Sequence, residues 1–248
     1  MSNPVLTVQG AVKQFGPVSA LAGVDLQVSR GEILALLGDN GAGKSTLIKC
    51  ISGVYPLDGG QVRIDGKPVI LRSPAAARAA GIETVYQDLA LFDNLTPGQN
   101  FFAGREIAGP GWLPQGMRFL LKRRMDSETQ ALLARLGVTL PRQDNVVAMM
   151  SGGQRQAIAV ARAAMFAQKV VILDEPTAAL GLRESAEVLN LIARLRDQGS
   201  AIILITHNMD HVTQLANRAM VLRQGRKVGE LVPTADTKQA LVSMIVGA

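Results

Sequence analysis

One cysteine, Cys50, is all that the 248-residue chain carries, so an internal disulfide is excluded. Its place in an apolar helical stretch reads as core packing, in keeping with a reducing compartment. Long hydrophobic runs are missing too. Val170–Leu173 and Ala201–Ile205 have the length of strands and fall far short of a membrane span. Residues 1–10 hold neither a basic block nor an apolar one, so no secretory signal is expected and the chain reads as soluble, with docking onto a membrane partner left open. No internal repeat or low-complexity tract is visible. What remains is globular in composition, 48% hydrophobic and 19% charged, and long enough for one large α/β domain or two small ones. A net charge of +6 suits phosphate ligands, nucleic acid or an anionic membrane equally well.

The stretch Gly38-Asp39-Asn40-Gly41-Ala42-Gly43-Lys44-Ser45-Thr46 fits the phosphate-binding pattern G-x-x-x-x-G-K-[ST]. Ile33–Leu37 before it is a continuous apolar run, as expected of a strand buried on both faces. Leu47, Ile48 and Ile51 after it repeat at helical spacing, with Gly53 as the stop. Backbone N–H groups and the positive end of a helix dipole hold polyphosphate best. Small residues at Gly41, Ala42 and Gly43 let the backbone come close. Lys44 can reach the β- and γ-phosphates, and the Ser45 hydroxyl can ligate Mg²⁺. The spacing therefore predicts binding of a nucleoside triphosphate.

Val5, Leu6 and Val8, then Val24, Leu26 and Val28, alternate like strands. Residues 13–21 between them read as a turn carrying Phe15, which could stack on a nucleobase or fill a core gap. Residues 62–69 read as a hairpin turning at Asp65-Gly66, Ser73-Pro74 as a helix start, and Ile82–Tyr86 as a strand entering Gln87-Asp88. Strand signals then fade from about Leu89 to Ala148, with a Gly/Pro cluster at 108–116 and an amphipathic helix over Glu128–Leu136. This predicts a helical subdomain inserted into an α/β frame.

Ser151-Gly152-Gly153-Gln154 has the form of a capping box, so a second glycine-rich helix end offers free N–H groups. Val170–Leu173 leads into Asp174-Glu175, and two acids at the carboxyl end of an apolar strand need cationic company. The economical reading makes Asp174 a Mg²⁺ partner and Glu175 a base or water orienter. Arg183–Gln198 reads as a long helix, after which the strand Ala201–Ile205 delivers Thr206-His207 to the same edge. Ala219–Leu222 and Lys227–Leu231 read as short strands, with a terminal helix from about Lys238.

Together these residues resemble the ATP-binding cassette ATPase family over nearly the whole chain. Gly38–Thr46 is similar to its Walker A loop, Val170–Asp174 to its Walker B strand, Gln87 to its Q-loop glutamine and His207 to its switch histidine. The most discriminating piece is Met150–Gln154, similar to the signature Leu-Ser-Gly-Gly-Gln. The resemblance implies a P-loop NTPase (RecA-like) α/β core, about 1–87 and 168–248, with an antiparallel β subdomain and an inserted helical subdomain, about 88–167. It also implies a head-to-tail homodimer in which Ser151, Gly152, Gly153 and Gln154 of one copy face ATP held by Phe15, Gly38, Asn40 and Gly41 to Thr46 of the other. Lys44 would hold phosphates, Thr46 the α-phosphate, and Ser45, Asp174 and Gln87 would attend Mg²⁺. Glu175 would polarise the attacking water with His207, Gln87 would sense the γ-phosphate, and Phe15 would stack on adenine.

Three departures from the pattern stand out: Met150 for leucine, Asp88 for glutamate, and Gly181 where most members carry the aspartate that reaches across the dimer. Residues 87–106 are similar to bacterial monosaccharide importers, and one set of motifs is similar to their single-cassette, fructose-type members. An integral permease, a sugar-binding protein and a place on the cytoplasmic face of the bacterial inner membrane follow by resemblance, with no added regulatory domain. An importer of another small solute such as an amino acid is the rival within the family, and a nucleic-acid or ribosome-directed cassette is the rival class outside transport. It fits less well, because Lys44 and Asp174 lie only 130 positions apart (174 − 44) without heptads between them, so no nucleic-acid partner is expected.

Overall fold

Two sheets and the helices around them define the architecture in the computed structural model, which describes residues 4–109, 119–140 and 145–247. The first sheet is antiparallel, ordered β2-β1-β4-β5, with β1 at Pro4–Phe15, β2 at Val18–Ser29, β4 at Gly59–Ile64 and β5 at Lys67–Val69. β1 and β2 pair as far as Phe15 opposite Val18, so the connection is only Gly16-Pro17 and not the longer turn expected over 13–21. The pairing contains several register shifts. Each shift interrupts the in/out alternation that marks a strand in sequence without interrupting the ladder. At the other hairpin, Asp65 and Gly66 both have positive φ, 47° and 74°, which suits the twist of a two-residue connection.

The second sheet runs β10-β9-β3-β8-β7-β6. Its members are β3 (Ile33–Leu37), β6 (Ile82–Val85), β7 (Val170–Asp174), β8 (Ala201–Ile205), β9 (Arg218–Arg223) and β10 (Arg226–Leu231), parallel except for β10 on β9. Burial on both faces explains the unbroken apolar runs: Val170 and Ile172 enter the core shared with the first sheet, while Val171 and Leu173 enter a second core beneath helices. Each such side chain contributes about 1.5–3 kcal/mol through removal from water.

The helices are α1 (Lys44–Ile51), α2 (Pro74–Ala79), α3 (Pro97–Phe102), α4 (Lys122–Arg135), α5 (Gly152–Phe166), α6 (Leu182–Asp197), α7 (Met209–Leu215) and α8 (Lys238–Val246). Between β6 and β7 the described residues form α3, α4, α5, a 3-10 turn at Val147–Met149 and one isolated bridge, Ala108 to Leu120. Of the Gly/Pro cluster at 108–116, residues 110–116 lie outside the described residues. α4 begins six positions before the expected helix, because its first turn, Lys122-Arg123-Arg124, is charged and carries no apolar signal. None of the described helices is long and apolar enough to cross a membrane.

Candidate functional site

Parallel order puts the carboxyl ends of β3, β8, β7 and β6 side by side along one edge, and each is followed by a residue singled out in the sequence. β3 enters the loop at Gly38, β8 delivers His207, β7 ends on Asp174-Glu175, and β6 leads to an exposed Gln87. Ligand sites in open α/β sheets form at such an edge.

The loop from Gly38 to Gly43 passes into α1, with Gly43 as its N-cap at φ 103°. Its glycines answer to different constraints. A Cβ on Gly38 would lie 2.3 Å from the Leu222 carbonyl oxygen, and one on Gly43 would lie 2.7 Å from that of Ala20. At Gly41, with φ 77°, the space is open and only the backbone conformation calls for glycine. Ala42 packs into the core. Ligand access alone, the reason read from the sequence, therefore covers part of this composition, and the fit of the loop against β9 and β2 covers the rest. Lys44 lies across the mouth, donating from Nζ to the Gly38 and Asp39 carbonyls at 2.7 and 3.0 Å. Ser45 is exposed and Thr46 half-buried at the start of α1, and Asn40 is exposed in the loop.

Glu175 sits directly beyond β7 with φ 50°, an uncommon conformation for a residue with a side chain, and its N–H donates to the Ile205 carbonyl at 2.9 Å. Its Oε1 lies 2.9 Å from His207 Nδ1, while Oε2 is buried without a partner among the described residues. The Asp174 carboxyl is pushed above the ordinary carboxylate range, chiefly by burial and further by Glu175, with Lys44 and Lys49 pulling it back. An acid pair that is short of positive charge, beside a loop holding a lysine and a free serine hydroxyl, fits a cation bound together with phosphate. Among the described residues no cluster of three or more His, Cys, Asp or Glu side chains forms a metal cage.

Phe15 is 42% exposed at the tip of the β1–β2 hairpin and meets Tyr55 edge to face at 5.2 Å. Tyr55 was not foreseen, since the contact joins residues from separate elements. At the signature, Ser151 Oγ accepts from Gln154 N at 3.3 Å while Ser151 N donates to Gln154 Oε1 at 3.0 Å, so the expected capping box is present. Gly152 abuts Leu180, and Gly153 is buried against Glu184. Among the described residues no hydrogen bond joins Ser151–Gln154 to the loop at Gly38–Thr46.

Other partners escaped the sequence reading. Arg162 on α5 donates to the carbonyls of Leu89 and Ala90 at 3.1 and 3.0 Å, and Arg155 pairs with Asp93 at 2.6 Å, tying the segment after Gln87 to the helix that Ser151 caps. His211 on α7 lies 3.2 Å from the Thr177 hydroxyl, and its pKa is lowered chiefly by burial. Thr177, Glu175, His207 and His211 line one open cavity of about 490 Å³.

With this geometry in place, comparison with known proteins is direct. The fructose import ATP-binding protein FrcA of Rhizobium meliloti is 49% identical over 99% of this chain and 95% of its own length. The xylose/arabinose import ATP-binding protein XylG of Sulfolobus acidocaldarius is 45% identical over 90% and 86%. A nucleotide-free ATP-binding cassette from an ABC transporter superposes with a TM-score of 0.84 at 26% identity, covering 98% of each chain. The family model described as ABC transporter matches residues 21–178, a stretch that contains the Gly38–Thr46 loop, Gln87, Ser151–Gln154 and Asp174-Glu175. The chain belongs to the ABC transporter family.

Proposed function

We propose that this chain is the ATP-hydrolysing subunit of an importer of monosaccharides, acting as a homodimer on the cytoplasmic face of a bacterial inner membrane. A separate permease would span the membrane and a sugar-binding protein would supply it. The observation that carries the enzymatic part is the Glu175–His207 pair, set beside a phosphate loop with one carboxylate oxygen left free. The monosaccharide part rests on the likeness to the fructose and xylose/arabinose import proteins.

In this reading Gly41 to Thr46 and the N-terminus of α1 bind the triphosphate, and Lys44 leaves the Gly38 and Asp39 carbonyls to meet it. Phe15 stacks on the adenine. A bound Mg²⁺ would be held by Ser45 and Asp174, with Gln87 near, and would neutralise charge on the phosphate oxygens. Glu175 orients water through its free oxygen and draws off a proton as the water oxygen bonds to the γ-phosphorus. The bond to the bridging oxygen breaks at the same time, releasing ADP and phosphate. His207 holds the Glu175 carboxylate in place from the other side. The second copy adds Ser151 and Gly153 at its α5 N-terminus to the γ-phosphate, a glycine-rich helix end being suited to an anion. The division at about residues 88 and 167 then separates a nucleotide-holding core from a helical part that Gln87 links to it.

Co-expression with candidate permease and binding-protein pairs, followed by sugar-stimulated ATPase assays in proteoliposomes, tests the whole reading. Stimulation by a monosaccharide supports it. Mg²⁺-dependent hydrolysis stimulated only by some other class of solute overturns the substrate while leaving the enzyme.

A further inference from the structure

The N-terminus of α5 is already engaged by a carboxylate of its own chain. Gly153 N–H donates to Glu184 Oε1 at 3.4 Å. The Glu184 carboxyl is held below its ordinary range, first by the nearby Ser151 hydroxyl and then by the Gly153 and Gly181 N–H groups. Glu184 stands third after the α6 N-cap Gly181, the position from which a glutamate reaches back to the N-cap N–H. One side chain thus bridges the positive ends of two helices, a favourable place for negative charge. The seat is tight: a Cβ on Gly153 would lie 2.8 Å from Glu184 Cβ. Ser151 Oγ accepts from Gln154 N and keeps one proton to donate to an anion at this seat.

We propose that Glu184 is a resident stand-in for phosphate, holding the Ser151 and Gly153 donors in the free chain and yielding them when ATP on a second copy approaches. The inference rests on the head-to-tail reading above. Two anions cannot share one small set of donors in close contact, so closure of the dimer must displace the glutamate. Glu184 lies in the first turn of α6, immediately after the Ala178–Gly181 segment. Its displacement therefore passes the arrival of nucleotide at the signature to the segment beside Glu175, within one chain. That route needs no aspartate at position 181. Glu184 is a positioning residue and touches no reacting atom.

The test uses full-length protein in a Glu175→Gln background, which halts turnover. Dimerisation is followed by sedimentation velocity as ATP is titrated. Glu184→Gln keeps the side chain's shape and its reach to Gly181, and Glu184→Ala removes both. Both variants are expected to dimerise at about fivefold lower ATP, as loss of a competing, partly exposed charged contact implies. A Ser151→Arg variant, which blocks the opposing nucleotide, should show ATP binding to the single chain unchanged by Glu184→Gln, a result that a general loosening of the fold would not give. A midpoint unchanged or raised in Glu184→Gln, with its melting temperature retained, overturns the proposal. Absence of ATP-driven dimers in the Glu175→Gln parent overturns the head-to-tail reading itself, and this inference with it.

Discussion

Glu175 Oε1 and His207 Nδ1 lie 2.9 Å apart although they follow different strands, β7 and β8, and Oε2 of the same carboxylate is buried with no partner among the described residues. In the proposed mechanism the histidine fixes one oxygen and the other turns to water. Glu175→Gln keeps the shape and loses the base, so kcat is expected to fall about 10³-fold with ATP affinity unchanged. His207→Ala should cost about 10²-fold in kcat, since the carboxylate keeps its chemistry but loses its orientation. Phosphate release and binding of a fluorescent ATP analogue measure the two quantities. Glu175→Gln turnover within tenfold of the native rate would remove Glu175 from the role of base.

Asp174 should respond to pH and to substitution in opposite senses for stability and activity. Its folded pKa is raised, mainly by burial, so between the unfolded and folded values the folded form binds more protons. Cation-free stability therefore falls as pH rises through that window, and the penalty stays at neutral pH. Asp174→Asn removes it. Its melting temperature without Mg²⁺ at pH 7 should rise, by about 2 °C after allowance for partial solvent screening, while Mg²⁺-dependent hydrolysis is lost. Differential scanning calorimetry with and without Mg²⁺ is the check, and a lower melting temperature in the variant would show that Asp174 is held by contacts the charge argument ignores.

Asn100 carries a structural prediction. It is fully buried in α3, accepts from Phe92 N at 2.8 Å through Oδ1, and donates from Nδ2 to the Phe92, Leu95 and Thr96 carbonyls. Asn100→Ala leaves the Phe92 N–H without a partner among the described residues, while the Phe92, Leu95 and Thr96 carbonyls keep the N–H groups of Leu95, Val147 and Asn100. The cost is about 2 kcal/mol, equivalent to a drop of about 5 °C in melting temperature. A drop under 2 °C would mean that water replaces the amide.

What sequence reveals here follows from how far apart the partners lie. β3, β7 and β8 could be read directly because burial on both faces makes them apolar runs, and a parallel sheet places the residues after them on one edge. Ser151 and Gln154 could be read because a capping box is local. Glu184 with Gly153 and Arg162 with Leu89 are brought together only by packing between elements 31 and 73 positions apart, so no local pattern announces them. α7 went unseen for another reason. Met209–Leu215 is short and mostly polar, with only Val212 and Leu215 buried, too few to define a helical face. The β1–β2 connection was drawn too wide because bulges erase alternation while pairing persists.

Phe15 is held at the hairpin tip by its edge contact with Tyr55. Phe15→Ala should raise the dissociation constant for ATP about tenfold, the lower range for one lost base–aromatic stack, and leave kcat at saturating ATP nearly unchanged. Equal weakening of ATP and of inorganic triphosphate in a binding titration would count against an adenine contact.

Gly181 allows the departure from the family pattern to be reversed. Its φ of −69° and ψ of 168° are open to any residue, and an added Cβ would meet nothing within 4 Å. No steric demand of the folded chain therefore keeps glycine there. It is also the N-cap of α6, which has no side-chain cap hydrogen bond, and aspartate is a better N-cap than glycine by a few tenths of a kcal/mol. Gly181→Asp should keep or slightly raise the melting temperature. At the proposed dimer interface the new carboxylate restores a contact from one copy to the other's phosphate loop, adding a second link between sites to the one routed through Glu184. The expected result is a higher Hill coefficient for ATP in steady-state hydrolysis at an unchanged fold. If the Hill coefficient stays at the native value while the variant still dimerises, coupling in this chain does not pass through position 181 even when the aspartate is supplied.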